Sequence, residues 1–200
     1  QKRKINTVLI AGDSMILEGF GQALQRELGR RDGLEVSREG QYSSGLSRPD
    51  YFNWPPYLEE LLDRYQPDML VMSLGANDAQ DILDGGRKRH FVGAEGWNRI
   101  YSERARALLK LAQDRDVLIF WVGLPIMGRE KYTPMIAGIN SLVETACRDY
   151  ENCHFLDTWR VLADEDGAYS TFLRNSKGVH IRVRAKDKIH VTYDGGQLMV

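Results

Sequence analysis

Two separated groups of polar residues could together transfer an acyl group. Ser14 follows Gly12 and Asp13, and its hydroxyl can act as a nucleophile once a base removes its proton. Asp187 precedes His190 by three residues, so its carboxylate can orient an imidazole that accepts the serine proton and later passes it to the leaving group. Either group alone is also typical of a helix cap or a surface turn. Their combination predicts a Ser-His-Asp triad.

Two other positions could stabilise the oxyanion that forms when a nucleophile attacks an ester. Asn77, in the motif Gly75-Ala76-Asn77-Asp78, could direct its side-chain amide at this charge, although an Asx turn is the alternative. Gly45, in the loop 42–50, lets the backbone approach a ligand closely and could donate an N–H. Together with the backbone N–H of Ser14, these groups are the predicted oxyanion hole.

Several side chains near these motifs could contact a substrate or support the loops. The candidate substrate contacts are Arg48, Trp54, Arg182 and Arg184. An aromatic platform with guanidinium groups suits sugars or an anionic polymer, and packing or solvated charge is the alternative at each position. Asp13 and Asp78, which adjoin the candidate catalytic residues, are expected to organise their loops.

The segments that must position these residues alternate between short apolar runs and amphipathic stretches. The runs predict strands at 7–11, 34–36, 68–74, 117–122 and 154–156, and the helical spacing predicts helices at 15–28, 57–65, 97–115 and 133–150, with a short C-terminal helix from Tyr193. The segment 43–56 is expected to be a loop, 81–95 a polar surface excursion, and 179–183 part of a ribbon. This order predicts an α/β protein whose parallel sheet lies between two helix layers, with its ligand at the carboxyl ends of the strands.

Composition limits the classes of function. The chain has 200 residues and is expected to form a single domain over 1–200. A net charge of -1 argues against nucleic-acid binding, and the basic start Gln1-Lys2-Arg3-Lys4 is expected to be a solvated terminus. No apolar stretch reaches the roughly 18 residues that a membrane span needs. Because the sequence begins with Gln rather than Met, an export leader could have been removed.

Two cysteines, Cys147 and Cys153, could form a disulfide in an oxidising compartment or remain as two buried thiols. Separate thiols are slightly favoured, because the sequence cannot test the geometry that a disulfide requires. No set of His and carboxylate residues with ligand spacing surrounds the cysteines, so no metal site is expected.

The ordered motifs resemble those of the SGNH/GDSL hydrolase family. Gly12-Asp13-Ser14 resembles its first block, Gly45 its second, Gly75-Ala76-Asn77-Asp78 its G-x-N-D block and Asp187-Lys188-Ile189-His190 its D-x-x-H block. The resemblance spans residues 5–200. It implies a three-layer α/β/α sandwich with a central, mostly parallel five-stranded sheet (SGNH/flavodoxin-like), and a serine hydrolase that needs neither a metal nor an organic cofactor.

Longer stretches are similar to an exported bacterial branch of that family whose relatives act on O-acylated envelope saccharides. These stretches are 44–50, 121–125 and 184–187. The resemblance therefore implies a periplasmic or secreted location. Lys188 departs from the branch, which usually has Gly at this position, and its side chain could crowd the site or point into water. Met15 departs from the Leu of the full GDSL motif, which is a mild change at a packing position.

The resulting expectation is a serine esterase that removes acyl groups, acetyl above all, from a small-molecule or polysaccharide ester of the cell envelope. One alternative is an O-acetyltransferase that uses the same triad and transfers the acyl group to a sugar hydroxyl instead of water. The other is a non-catalytic binding module with the same fold. Neither the natural substrate nor the oligomeric state follows from the sequence.

Overall fold

The structure is a computed structural model that describes residues 3–85 and 87–200. Gln1 and Lys2, which belong to the basic start, and Gly86, which belongs to the expected surface excursion, lie outside the described residues. Among the described residues, no helix combines the length and the apolar character that crossing a membrane requires.

A parallel sheet forms the centre of the molecule. Its strands are β1 (Thr7–Gly12), β2 (Glu35–Gly40), β3 (Met69–Ser73), β6 (Leu118–Val122) and β7 (Cys153–Leu156), in the spatial order β2-β1-β3-β6-β7. Every neighbouring pair of these strands is parallel. The prediction of a mostly parallel five-stranded sheet is therefore confirmed, and the sheet contains no antiparallel pair among the residues described.

The remaining strands form two small antiparallel ribbons outside this sheet. β4 (Ile82–Asp84) pairs with β5 (Lys88–His90) inside the predicted excursion, and β8 (Phe172–Arg174) pairs with β9 (His180–Arg182). The second ribbon was expected near 179–183. It leads directly into the segment that carries Asp187 and His190.

Helices cover both faces of the central sheet. They are α1 (Ser14–Leu17), α2 (Gly19–Leu28), α3 (Trp54–Tyr65), α4 (Glu95–Gln113), α5 (Thr133–Cys147) and α6 (Tyr193–Leu198). Alternate residues of β1 point into different cores, because successive side chains of a strand face opposite sides. Leu9 belongs to the core under α3, α4 and α5, whereas Ile10 packs in a second core with Ile16 and Phe20 of α1 and α2. These two cores make the predicted α/β/α sandwich.

The helices differ from the prediction in several places. The helices α4 and α5 are shifted or shortened by two or three residues at their ends, and two larger differences involve a break and a new start. The helix expected from Met15 to Leu28 is interrupted at Glu18, whose backbone is extended. The C-terminal chain packs tightly there, since a Cβ on Gly19 would lie 2.1 Å from the Val191 carbonyl oxygen. Helix α3 begins at Trp54 and not at Tyr57, so the loop expected over 43–56 is shorter. Prolines at the first turn of a helix are tolerated because the N–H groups there have no intrahelical partner.

Cys147 and Cys153 form a disulfide, which corrects the slight preference for separate thiols. Their Cα atoms are 5.3 Å apart because α5 ends at Cys147 and the chain turns directly into β7 at Cys153. This separation lies within the range that a disulfide needs. The bond lies at the amino ends of the parallel strands, opposite the edge at which the candidate catalytic residues lie.

Candidate active site

Ser14 lies just beyond the carboxyl end of β1, the strand that adjoins the central strand β3. Asp13 caps the short helix α1, its Oδ1 accepting the Met15 N–H at 2.9 Å, and Ser14 is the first residue of that helix. The backbone N–H of a first helical residue has no acceptor within its own helix. Ser14 is only 5% exposed, so little of its surface contacts solvent.

The three predicted triad residues meet although 176 positions separate Ser14 from His190. The Ser14 Oγ lies 2.7 Å from His190 Nε2, and His190 Nδ1 lies 2.5 Å from Asp187 Oδ2. With the proton placed on Nδ1 as the donor to Asp187, the Nε2 lone pair is free to accept the Ser14 proton. This is the hydrogen-bond order that a base-activated serine requires.

A tight turn fixes Asp187 relative to His190. Asp187 Oδ1 accepts the backbone N–H groups of Ile189 and His190 at 2.9 and 3.0 Å, and the Ala185 N–H donates to the His190 carbonyl at 2.8 Å. Partial burial alone would raise the pKa of Asp187, but the hydrogen bonds from the His190 side chain and from these backbone groups lower it to about 2. The carboxylate is therefore ionised throughout the neutral range.

Gly45 and Asn77, the predicted oxyanion-hole residues, belong to adjoining loops that are joined by Asp78. The carboxylate of Asp78 accepts the N–H groups of Leu46 and Ser47 at 2.8 and 2.7 Å. A Cβ on Gly45 would lie 2.2 Å from Asp78 Oδ1, so only glycine fits at this position without a shift. The Asn77 amide donates one hydrogen bond to the Ser44 carbonyl at 2.9 Å, which orients the amide and leaves its second N–H for a ligand.

Two buried carboxyl groups support the loops behind Ser14. Asp13 is fully buried, and burial raises its pKa to about 7, with a further contribution from the charge of Asp78. Its Oδ2 has no hydrogen-bond partner among the described residues. Burial also raises the pKa of Asp78, which additionally accepts the Tyr101 hydroxyl at 3.0 Å. Both aspartates have the loop-organising contacts that were expected of them.

Two of the four candidate substrate contacts are wrong, because their side chains are internal. Trp54 is 1% exposed and donates its Nε1–H to Ser44 Oγ at 3.1 Å, so it packs beneath the Gly45 loop. Arg184 is 0% exposed; it donates to the carbonyls of Ile126 and Ile189 at 2.8 and 2.7 Å and lies over the Tyr169 ring. Neither side chain presents surface to a ligand.

The other two candidates are exposed. Arg48 forms an ion pair with Asp50 at 2.7 Å. Arg182 lies on the outer face of the ribbon β8–β9, over the Phe172 ring, and its Nε donates to the Arg184 carbonyl at 3.0 Å. Both remain predicted substrate contacts.

Lys188 adopts the left-handed backbone conformation, with φ +66°, that favours glycine. Its side chain is exposed, so the departure from Gly noted in the sequence is accommodated by pointing the side chain into water. The segment 128–132 contacts the turn that carries Asp187 and His190. Gly128 donates to the Lys188 carbonyl at 2.9 Å and Arg129 to the Asp187 carbonyl at 3.1 Å.

Three supporting residues could not be predicted from the sequence. Tyr101, Arg129 and Tyr132 have no local motif, and each reaches the site through a contact with a residue distant in the chain. The Tyr132 hydroxyl donates to the Ala76 carbonyl at 2.8 Å, next to Asn77. Within 3–85 and 87–200, no group of three or more His, Cys, Asp or Glu residues could hold a metal ion.

Comparison with known families gives one match. Residues 7–200 match the family described as "Protein of unknown function (DUF459)". A comparison with curated protein sequences finds no match.

Solved structures with the same fold include three bacterial ester hydrolases. The esterase EstA from Pseudoalteromonas, in a structure inhibited by monoethylphosphonate, has a TM-score of 0.60 and 18% identity, with 97% of this chain and 92% of that chain covered. A catalytic mutant of Axe2, an acetylxylan esterase from Geobacillus stearothermophilus, has a TM-score of 0.63 and 16% identity over 97% and 90%. A GDSL-like lipase from Bacteroides thetaiotaomicron has a TM-score of 0.63 and 12% identity over 97% and 83%. At these identities the likeness shows the fold, and that fold is the one that the motif resemblance implied.

Proposed function

The chain belongs to the DUF459 family and has the fold of the SGNH esterases, and from this starting point we propose that it is a serine esterase. Ser14 is its nucleophile, His190 its general base and acid, and Asp187 the residue that orients His190. The observation that carries the proposal is the pair of short contacts, 2.7 Å from Ser14 Oγ to His190 Nε2 and 2.5 Å from His190 Nδ1 to Asp187 Oδ2.

The reaction proceeds in two acyl-transfer steps. His190 Nε2 accepts the hydroxyl proton while Ser14 Oγ attacks the ester carbonyl, and the carbonyl electron pair moves onto oxygen. The N–H groups of Ser14 and Gly45 and the Asn77 amide stabilise this oxyanion. The tetrahedral intermediate then expels the alcohol, which takes the proton from His190. Water, activated by the same imidazole, attacks the acyl-enzyme and releases the acid with Ser14 restored.

The proposed substrate is an acyl ester, acetyl above all, on a saccharide of the cell envelope. The acetylxylan esterase with the same fold acts on an acetylated polysaccharide, which supports this class of substrate. The proposed location is the periplasm or the exterior of the cell. The disulfide Cys147–Cys153 supports this location, because disulfides persist in oxidising compartments.

The test is turnover of p-nitrophenyl acetate by the wild type and by Ser14→Ala, with Ser141→Ala as a matched serine control on the exposed surface of α5. We expect Ser14→Ala to lower kcat by at least about 10³-fold, by analogy with other serine hydrolases, and Ser141→Ala to leave it unchanged. Equal rates for wild type and Ser14→Ala would contradict the proposal.

A covalent probe provides a second measurement that does not depend on the substrate. We expect a fluorophosphonate to add one adduct to the wild type, located at Ser14 by peptide mass, and none to Ser14→Ala. A wild-type protein that stays unlabelled would instead favour a non-catalytic binding module. Adding an acceptor oligosaccharide separates hydrolysis from transfer, since a transferase forms acylated oligosaccharide in place of free acid.

A further inference from the structure

Four exposed cations surround the turn that carries Asp187 and His190. They are Arg129 and Lys131 on one segment and Lys186 and Lys188 on the other, and they are called the cationic rim below. Within the described part of the chain, none of the four has a carboxylate within 4.0 Å. By contrast, several exposed arginines elsewhere pair with a carboxylate three or four residues away in the chain; they are Arg30, Arg64, Arg99 and Arg148. The rim charges are therefore available to a ligand.

Two side-chain hydrogen bonds attach the segment that carries Arg129 and Lys131 to both sides of the candidate site. At one end, Arg129 Nε donates to the Asp187 carbonyl at 3.1 Å. At the other, the Tyr132 hydroxyl donates to the Ala76 carbonyl, next to Asn77, at 2.8 Å. The segment 129–132 thus extends from the triad turn to the oxyanion-hole loop. We expect the part of a substrate that extends beyond the carbonyl at Ser14 to pass close to this segment.

Lys188 provides a second, independent observation. Its φ of +66° lies in the left-handed region, which bulky L-residues rarely adopt. Backbone conformations of this kind are concentrated at functional sites, where a side chain is held for a reason other than local preference. Lys188 lies two residues before His190, and its exposed four-carbon stem can reach a group that projects from the site.

The charge balance around the turn favours an anionic ligand. The segments 129–131 and 186–188 contain four cations and two carboxylates, Glu130 and Asp187. The carboxylate of Asp187 is bound to His190, which leaves Glu130 as the one carboxylate free to oppose the rim within these two segments, all of whose residues are described. The whole chain has a net charge of -1, so the excess of positive charge in these two segments is not part of an overall basic composition of the kind that favours binding to membranes or nucleic acids.

We infer that the cationic rim selects esters carried on a saccharide that bears carboxylate groups. Lys188 and Arg129 bind the carboxylates of neighbouring sugar units, while the acyl carbonyl lies against Ser14. Arginine and lysine donate charge-assisted hydrogen bonds to carboxylates, which suits a repeating acidic sugar. This inference rests on the proposed esterase function and adds the class of substrate to it.

The experiment compares acetate release from two acetylated oligosaccharides of equal length, one of galacturonate and one of xylose. The first bears a carboxylate on each unit and the second is neutral. We expect the wild type to have a kcat/KM at least tenfold higher for the galacturonate ester in 20 mM salt, and this preference to shrink in 300 mM salt because ions screen exposed charges.

Substitutions test which residues cause the preference for the anionic ester. We expect Lys188→Gln and Arg129→Gln each to lower the ratio of kcat/KM for the anionic over the neutral ester several-fold, mainly through KM. Lys188→Gly removes the same charge and permits the left-handed backbone, so it should lower the ratio equally. Lys110→Gln is the matched control, because Lys110 is an exposed lysine near the end of α4, at the opposite edge of the sheet, and should leave the ratio unchanged.

Failure of this inference is distinguishable from failure of the proposed function. If the protein turns over p-nitrophenyl acetate but has equal kcat/KM for both oligosaccharides, the cationic rim does not select the substrate, and the proposed esterase function still stands. If the wild type turns over no ester, binding of unacetylated oligogalacturonate still tests the rim. Binding that Lys188→Gln weakens supports it, and no binding overturns it. Equal affinity for an oligonucleotide of the same charge would also overturn it, since that would be attraction to charge alone.

Discussion

The guanidinium of Arg184 lies 2.7 Å from the carbonyl oxygen of Ile189, the residue immediately before His190. Its other Nη donates to the Ile126 carbonyl in the segment that follows β6. One buried side chain therefore joins the triad turn to the segment that follows β6. Burial lowers the pKa of Arg184 to about 10, so the group is still charged at neutral pH. We interpret Arg184 as a residue that positions His190 and does not itself touch the substrate.

Replacing Arg184 with methionine should destabilise the protein and slow turnover. The change leaves two partly buried carbonyls without these donors. A buried polar group without a partner costs about 1–3 kcal/mol, so we expect the free energy of unfolding to fall by roughly 2–4 kcal/mol. Turnover of p-nitrophenyl acetate should fall mainly in kcat, because the His190 turn loses its anchor. Urea unfolding and steady-state kinetics measure the two effects, and Arg174→Met is the control for an exposed arginine. Unchanged unfolding and kcat would contradict the positioning role.

Replacing Gly45 with alanine should impair catalysis more than folding. The added Cβ would lie 2.2 Å from Asp78 Oδ1, so the Asp78 carboxylate and the loop must move apart. The Gly45 N–H is then displaced from the oxyanion, and loss of one such donor costs about 10²–10³ in kcat. Gly138→Ala is the matched control, since nothing lies within 4 Å of a Cβ there, and helix propensity predicts a gain of roughly 0.5–1 kcal/mol. If Gly45→Ala has the same kcat as the wild type, Gly45 does not contribute to the oxyanion hole.

The parts of the fold that could be predicted are those whose pattern is local. β1 and β3 are buried on both faces, β6 is buried on one face and partly buried on the other, and the apolar runs of all three strands identify them without further information. β2 was predicted only at its start, because this edge strand reads Glu-Val-Ser-Arg-Glu-Gly and is polar along most of its length. The break at Glu18 depends on contacts with residues near 191, which no local pattern contains.

The same distinction applies to the candidate site. Ser14, Asn77, Asp187 and His190 belong to short motifs that are visible in the sequence, and the structure brings Ser14, Asp187 and His190 together. The role of Arg184 was mistaken because an arginine in an alternating segment gives no sign of being buried. Its hydrogen-bond acceptors are backbone carbonyls, which every residue has and which the sequence therefore cannot identify. One of them belongs to a residue 58 positions away.

Removing the disulfide should lower stability without affecting turnover. A bond between residues 6 apart closes a short loop, and the chain-entropy estimate for such a loop is about 2 kcal/mol. We expect Cys147→Ala/Cys153→Ala to lower the free energy of unfolding by that amount, and a reductant to do the same to the wild type but not to the double variant. Turnover at 25 °C should be unchanged, because the bond lies at the edge of the sheet opposite Ser14. A loss of kcat in the folded variant would contradict this separation.

Asp13 should make stability depend on pH in the neutral range. Its pKa in the folded protein is about 7, against 3.8 for an ordinary aspartate, since burial disfavours the charged carboxylate. Between these values the folded state binds a proton that the unfolded state has lost, so stability is fully present below about pH 4 and is lost as pH rises through 7. The full shift corresponds to roughly 4 kcal/mol at most.

The replacement Asp13→Asn removes this titration and keeps an oxygen that can accept the Met15 N–H. We therefore expect the free energy of unfolding of Asp13→Asn, relative to wild type, to rise by roughly 2–4 kcal/mol between pH 4 and pH 7.5. Asp157→Asn is the matched control, because Asp157 is exposed and accepts the N–H two residues ahead at 2.9 Å, as Asp13 does. Its difference from wild type should stay flat over the same range. If the free energy of unfolding of Asp13→Asn relative to wild type also stays constant with pH, the Asp13 carboxyl group does not bind its proton more tightly in the folded protein than in the unfolded chain. Its charged form would then be stabilised by water or a cation near Oδ2.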